Sequence, residues 1–297
     1  MYSRYREWRA QVIYPADAAL GEGPVWDGHR RQLYFVDILS RRVHCFDPVS
    51  GAHRRWNTGS LTSLIIPAGN DRFLLAMQGR LVMSSLNGMP PLVLTPVEAE
   101  APELRCNDGK CDAMGRLWFG TMHTGGLPYK GALYCYDGTL RKMLDGISIS
   151  NGICWSADNK TMYYIDTLER NIRAYEFDLL SGTLGNSRIV TTTKDLPDGM
   201  CIDHEGMLWV AMWGGNAVHR YHPRTGELTG KVWVDAPHVT SCTFGGAGMN
   251  QLFITTAKDG LTKQQLQTYP DSGSLFAVQL PFTGVPAQTF SMPALCV

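Results

Sequence analysis

A strand-rich unit repeats six times along this chain of 297 residues, and this repeat constrains the fold more than any other feature. Each unit contains a short β-branched or aromatic run, the composition of a β-strand, and most of these runs follow a polar turn. The six runs are "LYFVDI" (33–38), "FLLAMQ" (73–78), "LWFGTM" (117–122), "MYYIDT" (162–167), "LWVAMW" (208–213) and "LFITTA" (252–257). Most units add a third run and usually a plausible fourth, so each unit is predicted to be a β-meander.

Repeats of roughly 40–50 residues with four strands each are typical of β-propeller blades. No long window shows a competing helical period. We therefore predict an all-β fold, a six-bladed β-propeller with four-stranded blades around a central channel, in a single domain over residues 1–297. A closed ring removes exposed sheet edges. We expect residues 8–14 to pair into the last blade and close the ring, with residues 286–290 as the alternative.

One position of the repeat carries mostly oxygen-bearing side chains. The residue that opens the innermost strand recurs at intervals of 40 to 47 residues, at Glu22, Thr62, Asp108, Asn151, Asp198 and Thr240. Taken alone, the pair Asp198-Gly199 predicts an ordinary turn. In a propeller, however, equivalent positions at the starts of the innermost strands form a ring at one channel mouth. We therefore expect four residues to converge there, namely Glu22, Asp108, Asn151 and Asp198.

A ring of carboxylates and an amide needs a physical explanation, because like charges at close range raise each other's pKa. A divalent cation offsets this repulsion, and Glu, Asp and Asn oxygens suit hard ions such as calcium, magnesium or manganese. No His or Cys occupies a ring position, which argues against a structural zinc site. Zinc bound by oxygen and water stays open for a catalytic site. A metal ion held by only a few protein ligands keeps coordination positions open for water and substrate.

Eight cysteines are interpreted as free thiols, because the chain has no C-x-x-C pair and no secretory signal is recognised. Three of them share one slot of the repeat, three residues after the ring position. That slot reads Val25, Ile65, Cys111, Cys154, Cys201 and Thr243. A slot filled by small side chains indicates packing near the propeller axis, where cysteine behaves as a small hydrophobe.

Composition excludes several classes of partner. The formal net charge is +0 and no basic stripe is present, which argues against nucleic acid and against acidic membrane surfaces. No apolar run approaches a membrane span or a signal peptide. We therefore expect a soluble cytoplasmic protein with a small-molecule partner and no obligate protein partner.

Five motifs occur in order between about residues 12 and 280. They are "GEGPVWD" (21–27), "RCNDGKCDAMGRLWFGTM" (105–122), "SNGICWSADNKTMYYIDT" (150–167), "PDGMCIDHEGMLWVAMW" (197–213) and "TSCTFGG" (240–246). Together they resemble the regucalcin/SMP-30/gluconolactonase family. The resemblance implies a six-bladed propeller, which agrees with the count of repeats. It also implies a metal-dependent lactonase that opens a sugar-acid lactone to the acid.

The resemblance assigns roles to individual positions. It implies one divalent metal ion held by Glu22, Asn151 and Asp198, with calcium favoured and zinc, manganese and magnesium as alternatives. It implies substrate contacts from Arg105 and Asn107 in "RCND". Asp198, at the metal, is predicted to be the catalytic general base. His123 and His238 are expected near the channel mouth and are given no catalytic role.

One departure from the family concerns the segment after "GTM". Animal members carry a longer acidic segment there, whereas this chain has "HTGGLPYK" (123–130), with no acid between Met122 and Lys130. The segment is expected to overhang the site and to influence substrate choice. Three alternatives to a sugar lactonase stay open, namely a hydrolase of a non-sugar lactone, a calcium-binding regulatory propeller without catalysis, and a propeller scaffold for protein partners.

Overall fold

The computed structural model describes residues 5–69, 71–85 and 90–291, and the strands of these residues form six sheets. The strands are β1 (Arg6–Arg9), β2 (Gln11–Tyr14), β3 (Gly21–Asp27), β4 (Gln32–Asp37), β5 (Arg42–Phe46), β6 (His53–Asn57), β7 (Thr62–Pro67), β8 (Arg72–Met77), β9 (Arg80–Ser85), β10 (Leu92–Pro96), β11 (Leu104–Cys111), β12 (Leu117–His123), β13 (Gly131–Tyr136), β14 (Leu140–Ile147), β15 (Ser150–Trp155), β16 (Thr161–Asp166), β17 (Asn171–Asp178), β18 (Thr183–Thr192), β19 (Leu196–Ile202), β20 (Leu208–Trp213), β21 (Ala217–Tyr221), β22 (Leu228–Trp233), β23 (Val239–Gly245), β24 (Gln251–Thr256) and β25 (Leu275–Gln279). Helical structure in the described ranges is limited to a 3-10 turn (Thr167–Glu169) and one short helix, α1 (Lys263–Thr268).

Each sheet is one blade whose strands follow chain order from the channel outwards. The innermost strands are β3, β7, β11, β15, β19 and β23, and each packs against the innermost strands of the two neighbouring blades. Strand β23 packs against β3, which closes the circle. The predicted six-bladed β-propeller with four-stranded blades is therefore confirmed.

Burial falls from the axis to the rim, because inner strands are covered by blades on both faces while outer strands are covered less. All six residues of β7 are buried, whereas β6 and β10 on the outside contain no buried residue. The inner strands accordingly read as nearly continuous apolar runs, as strands covered on both faces do. The hydrophobic clusters bridge neighbouring blades, as where Trp209 of β20 packs edge-on against Phe244 of β23.

The N-terminal segment joins the two ends of the ring. Strand β2 adds to β25 as the fourth, antiparallel strand of the sixth blade. Strand β1 instead pairs in parallel with β22 of the fifth blade, from Arg6 opposite Gly230 to Arg9 opposite Trp233. The predicted closure by residues 8–14 is thus confirmed for residues 11–14, whereas Trp8 and Arg9 belong to the neighbouring blade.

The alternative closure by residues 286–290 is wrong, since these residues form no strand. They cross one end of the channel instead. Val285 donates its N–H to the carbonyl of Ile202 in the fifth blade, and Phe290 donates to Pro67 in the second. A cavity of about 210 Å³ lies between this segment and the inner strands. We call it the lower cavity.

No helix of the described residues is long and apolar enough to cross a membrane.

Candidate active site

The six ring residues lie near the starts of the innermost strands, and one of them, Asp108, also lines the lower cavity. Four of them have charged or amide side chains and are nearly enclosed, each with at most 6% of its surface exposed. They are Glu22, Asp108, Asn151 and Asp198. The prediction that Asp198-Gly199 forms a turn is wrong, because both residues lie within strand β19. The pairing of β19 with β20 shifts register between Pro197 and Met200, as at a β-bulge.

The same irregularity recurs at the ring position of every blade. Register shifts separate Glu22 from Val25, Thr62 from Leu64, Cys106 from Gly109, Ser150 from Ile153, Pro197 from Met200 and Val239 from Ser241. A β-bulge re-aims the side chain at the extra residue and is over-represented beside active sites. The repeat therefore supplies six re-aimed side chains at one channel mouth.

The glycine that follows several ring residues is explained by close approach of the next blade. A Cβ on Gly152 would lie 2.6 Å from Met200 Cβ and 2.7 Å from the carbonyl oxygen of Asp198. A Cβ on Gly199 would clash similarly with Ser241 in β23. The glycines after Asn151 and Asp198 resemble turn signals, but they are needed because the inner strands are crowded around the axis.

The amide of Asn151 is held in one orientation by two neighbours. Its Nδ2 donates to Thr167 Oγ1 at 2.7 Å, and that hydroxyl donates to the carbonyl of Pro197 at 2.8 Å. Asn107 Nδ2 donates to Asn151 Oδ1 at 3.1 Å and to the carbonyl of Ser150 at 2.7 Å. Asn151 Oδ1 therefore keeps an acceptor lone pair for a further partner.

Arg105 places a positive charge beside the ring carboxyl groups. Its Nη1 donates to Asn107 Oδ1 at 2.6 Å and to the carbonyl of Cys106 at 2.9 Å. Burial lowers the pKa of Arg105, and the carboxylates of Glu22 and Asp198 act against that effect. The structure therefore brings the residues expected to contact substrate into one hydrogen-bonded row with Asn151.

The three ring carboxylates have abnormal acidity. Burial, and next the charge of Asp108, raise the pKa of Glu22 to about 8. Burial and the charges of Glu22 and Asp108 raise the pKa of Asp198 well above its usual range. Burial also raises the pKa of Asp108. Three enclosed carboxyl groups therefore resist holding three negative charges together unless a cation compensates them.

The donor set fits a hard divalent cation. Asp198 Oδ1 and Asp108 Oδ2 are buried oxygens without a hydrogen-bond partner, and Asn151 Oδ1 has a free lone pair. Among residues 5–69, 71–85 and 90–291, no group of three or more His, Cys, Asp or Glu side chains is arranged to hold a metal ion. A set of three protein ligands here would therefore have to include the amide of Asn151 with two of the ring carboxylates, and the choice of Glu22 and Asp198 stays a prediction.

Thr167 was missed by the sequence analysis, although it fixes Asn151 and follows the second strand of the same blade. Thr167 is the last residue of the run "MYYIDT", which the sequence analysis used only to predict a strand. The residue before it, Asp166, accepts the N–H groups of Ser148 and Ile149. Thr167 is buried, so the pair of residues at this strand end supports the ring from outside.

The two histidines lie at the same end but on different blades. His123 Nδ1 accepts the N–H of Gly125, a local turn contact, and residues 124–130 are all exposed. His238 stacks on Trp213, with ring centroids 4.0 Å apart. Neither histidine has a recorded hydrogen bond to a ring residue, and the influence of residues 123–130 on substrate choice stays a prediction.

The cysteines of the shared slot are buried free thiols, as expected for packing. Cys111, Cys154 and Cys201 line the lower cavity. Burial raises the pKa of Cys154 to about 12, which keeps its thiol protonated and unsuited to ligate a metal. Cys106 is packed among residues of the second and third blades. Cys296 lies outside the described residues.

Known proteins resemble this chain over most of its length. Residues 20–258 match the family described as the SMP-30/Gluconolactonase/LRE-like region. The chain is 36% identical over 272 residues to "Putative sugar lactone lactonase YvrE" of Bacillus subtilis (strain 168), covering 90% of this chain and 93% of that protein. It is 34% identical over 283 residues to regucalcin of Gallus gallus, covering 92% and 95% respectively.

A solved structure supports the same assignment. The calcium-binding protein regucalcin of Agrobacterium tumefaciens superposes with a TM-score of 0.92 at 26% identity, covering 97% of this chain and 99% of that one. Both the shared fold and the extent of the sequence match include all six ring positions. The chain therefore belongs to the SMP-30/gluconolactonase/LRE-like family.

Proposed function

We propose that this protein hydrolyses a sugar-acid lactone (an aldonolactone) to its open-chain acid, with one divalent cation held by Glu22, Asn151 and Asp198. The observation that carries the proposal is the enclosed ring of carboxyl and amide oxygens with Arg105 and Asn107 beside it. Its support from relatives is the similarity to a protein named as a sugar lactone lactonase.

The bound cation would polarise the lactone carbonyl and lower the pKa of a water molecule. Asp198 would accept the proton of the attacking water, because its Oδ1 is buried and has no other hydrogen-bond partner. Returning this proton to the leaving ring oxygen completes hydrolysis, so one carboxyl group acts first as base and then as acid.

Arg105 and Asn107 would bind and orient the substrate. The guanidinium carries up to five donors and uses one nitrogen for its two internal bonds, so the others are free for lactone oxygens. Asn107 shares its amide between Ser150 and Asn151, so it couples substrate position to the cation ligand. These contacts hold the carbonyl carbon at the cation and at Asp198 together.

Calcium is the favoured cation, because the ligands are hard oxygens and the structural relative from Agrobacterium tumefaciens is described as calcium-binding. Zinc, manganese and magnesium are the alternatives. The same description supports a second function, a calcium-binding regulatory propeller without catalysis.

Acid release from a panel of aldonolactones separates the two functions. The panel is measured at neutral pH with calcium, zinc, manganese or magnesium, and again after chelation with EDTA. We expect activity that EDTA removes and added metal restores. A non-sugar lactone in the same panel tests for a broader hydrolase. Calcium binding in a calorimeter without acid release from any lactone with any cation would favour the regulatory propeller and contradict hydrolysis.

A further inference from the structure

The sixth blade faces the substrate-binding third blade across the channel, because the two are three positions apart in a ring of six. Its own ring residue, Thr240, offers no charge. The Thr240 hydroxyl is used within the wall, donating to the carbonyl of Gly21 at 2.5 Å and contacting Thr255 Oγ1 at 2.9 Å. Any group that binds substrate on this side must therefore come from above the ring.

The sixth blade carries the longest connection on this face of the propeller. Residues 257–274 join its second and third strands, whereas the longest equivalent connection in the other blades is residues 124–130. We call residues 257–274 the rim loop. It contains α1, whose N-terminus is capped by Thr262 and whose residues are all at least partly exposed. The rim loop therefore projects from the channel mouth where the substrate would enter.

The start of the rim loop is fastened beside the ring. Lys258 and Asp259 both donate their N–H groups to the carbonyl of Ala19, at 3.0 and 2.9 Å. Ala257 pairs with Leu20, two residues before Glu22. These bonds fix the backbone of Asp259 at the edge of the cation site.

Asp259 also orients His238. Its carbonyl oxygen accepts a hydrogen bond from His238 Nδ1 at 2.8 Å, so Nδ1 carries the proton and Nε2 is the acceptor of the neutral ring. The ring is held flat against Trp213, with an interplanar angle of 15°. Gly260 lies against this stack, 3.4 Å from the histidine ring to the position of an added Cβ.

The carboxylate of Asp259 is exposed, and within the described ranges it has no recorded hydrogen bond or ion pair. The backbone of Asp259 is bonded to Ala19, three residues before Glu22 in the chain, which places Asp259 at the channel mouth. An exposed carboxylate thus stands at the channel mouth on the blade opposite the one that carries Arg105. Residues 123–130 offer no carboxylate for this purpose.

We propose that Asp259 is a specificity-determining residue whose carboxylate accepts hydrogen bonds from hydroxyl groups of the lactone, opposite Arg105 and Asn107. His238 Nε2 would be a second acceptor on the same side. The third blade then provides donors for the carbonyl and ring oxygens, and the sixth blade provides acceptors for hydroxyl protons. The substrate class that follows is a polyhydroxylated lactone rather than an unsubstituted one, and this inference rests on the proposed function.

The experiment compares the wild type with Asp259→Asn, which keeps the backbone contacts to Ala19 and His238 and removes only the charge. Asp271→Asn is the matched control, since it removes an exposed carboxylate from the far end of the same loop. Kinetics are measured with a polyhydroxylated aldonolactone and with γ-butyrolactone, which has no hydroxyl. Loss of a charged hydrogen bond predicts about a 10-fold or greater fall in kcat/KM for the aldonolactone, mainly through KM.

We expect less than about a twofold change for γ-butyrolactone, and no change for either substrate in Asp271→Asn. Equal losses on both substrates, or an aldonolactone KM like that of the wild type, would overturn the assignment of Asp259. Calorimetric binding of the corresponding aldonates separates this from the proposed function. If the wild type binds aldonates without hydrolysing lactones, hydrolysis is wrong, and the affinity of Asp259→Asn decides the role of Asp259. If it neither binds nor hydrolyses, both are wrong.

Discussion

The two ends of the central channel are built from the same six strands yet differ in chemistry. At one end lie buried carboxyl and amide groups, of which Asp108 and Asp198 keep oxygens without partners. At the other lies the lower cavity, which reaches Asp108 and Lys110 but is otherwise lined by uncharged side chains, three of them cysteines, and is bordered by residues 285–288. Only two residues of each inner strand lie between a ring position and the cysteine slot.

The difference shows how a repeat divides stability from chemistry. The slot residues vary among small side chains without changing their packing role, which is the tolerance expected of a core. The ring residues place mutually repelling carboxyl groups in an enclosed site, which costs folding free energy. Such a cost is expected where a site is built for a ligand rather than for stability.

The largest expected effect is at Asp198. We expect Asp198→Asn to lower kcat/KM for the best lactone by about 10³-fold or more, because it removes both the proposed base and a proposed charged ligand of the cation. Without metal, the variant should unfold at a higher temperature than the wild type at pH 7, since it removes one of three repelling carboxyl groups. Lactone kinetics and thermal unfolding in EDTA test both statements. Full activity would remove Asp198 from the mechanism.

A smaller effect is expected at Arg105. Arg105→Ala should lower kcat/KM for sugar lactones roughly 10- to 150-fold, the loss of one hydrogen bond to a charged group, about 1.5–3 kcal/mol. Its affinity for the cation should change little, because Arg105 contacts Asn107 and not a cation ligand. Calorimetric titration with calcium beside lactone kinetics makes the comparison. A parallel loss of metal affinity and activity would contradict the separation of substrate and cation contacts.

A third effect tests why glycine follows the ring residues. Gly152→Ala should reduce the free energy of unfolding by about 1–3 kcal/mol, because the new Cβ would meet Met200 and the Asp198 carbonyl at under 3 Å. Activity should fall as well, since Asp198 must shift. Gly28→Ala is the control, because the nearest atom to its added Cβ is 3.9 Å away and its φ is not positive. Equal stability of the two variants in urea unfolding would show that the crowding is relieved at no cost.

The repeat predicted the fold because each blade is coded locally. Six strand runs at similar spacing can all bury their apolar faces in the same blade arrangement. Because the repeats are equivalent, their alignment predicted which side chains share the ring. The prediction of a turn at Asp198-Gly199 failed because a local Asp-Gly signal cannot reveal crowding from the next blade. The bulge at this position depends on a neighbour more than 40 residues away along the chain.

The chain ends and the supporting residues were less predictable for a related reason. Residues 8–14 have strand composition, but composition does not show that β1 and β2 divide between two blades. Thr167 and Asp259 lie outside the ring position, so aligning the repeats did not select them. Aligning the repeats identifies the positions that all six units share. It cannot identify residues in an insertion such as the rim loop, which has no counterpart of similar length in the other blades.

The smallest expected effect is at the other end of the channel, in the cysteine slot. Cys154→Ala should cost about 1 kcal/mol of unfolding free energy, because it removes one buried atom beside an existing cavity. Lactone kcat/KM and calcium affinity should stay within about twofold of the wild type, because burial raises the pKa of the Cys154 thiol to about 12 and leaves no thiolate to bind metal or attack substrate. Cys154→Ala and Asp198→Asn are compared by urea unfolding, lactone kinetics and calcium titration. The comparison shows how much each end of the channel contributes to stability and to activity. A loss of calcium affinity in Cys154→Ala would mean that the lower cavity and the polar ring act as one site, and the division between stability and chemistry would have to be abandoned.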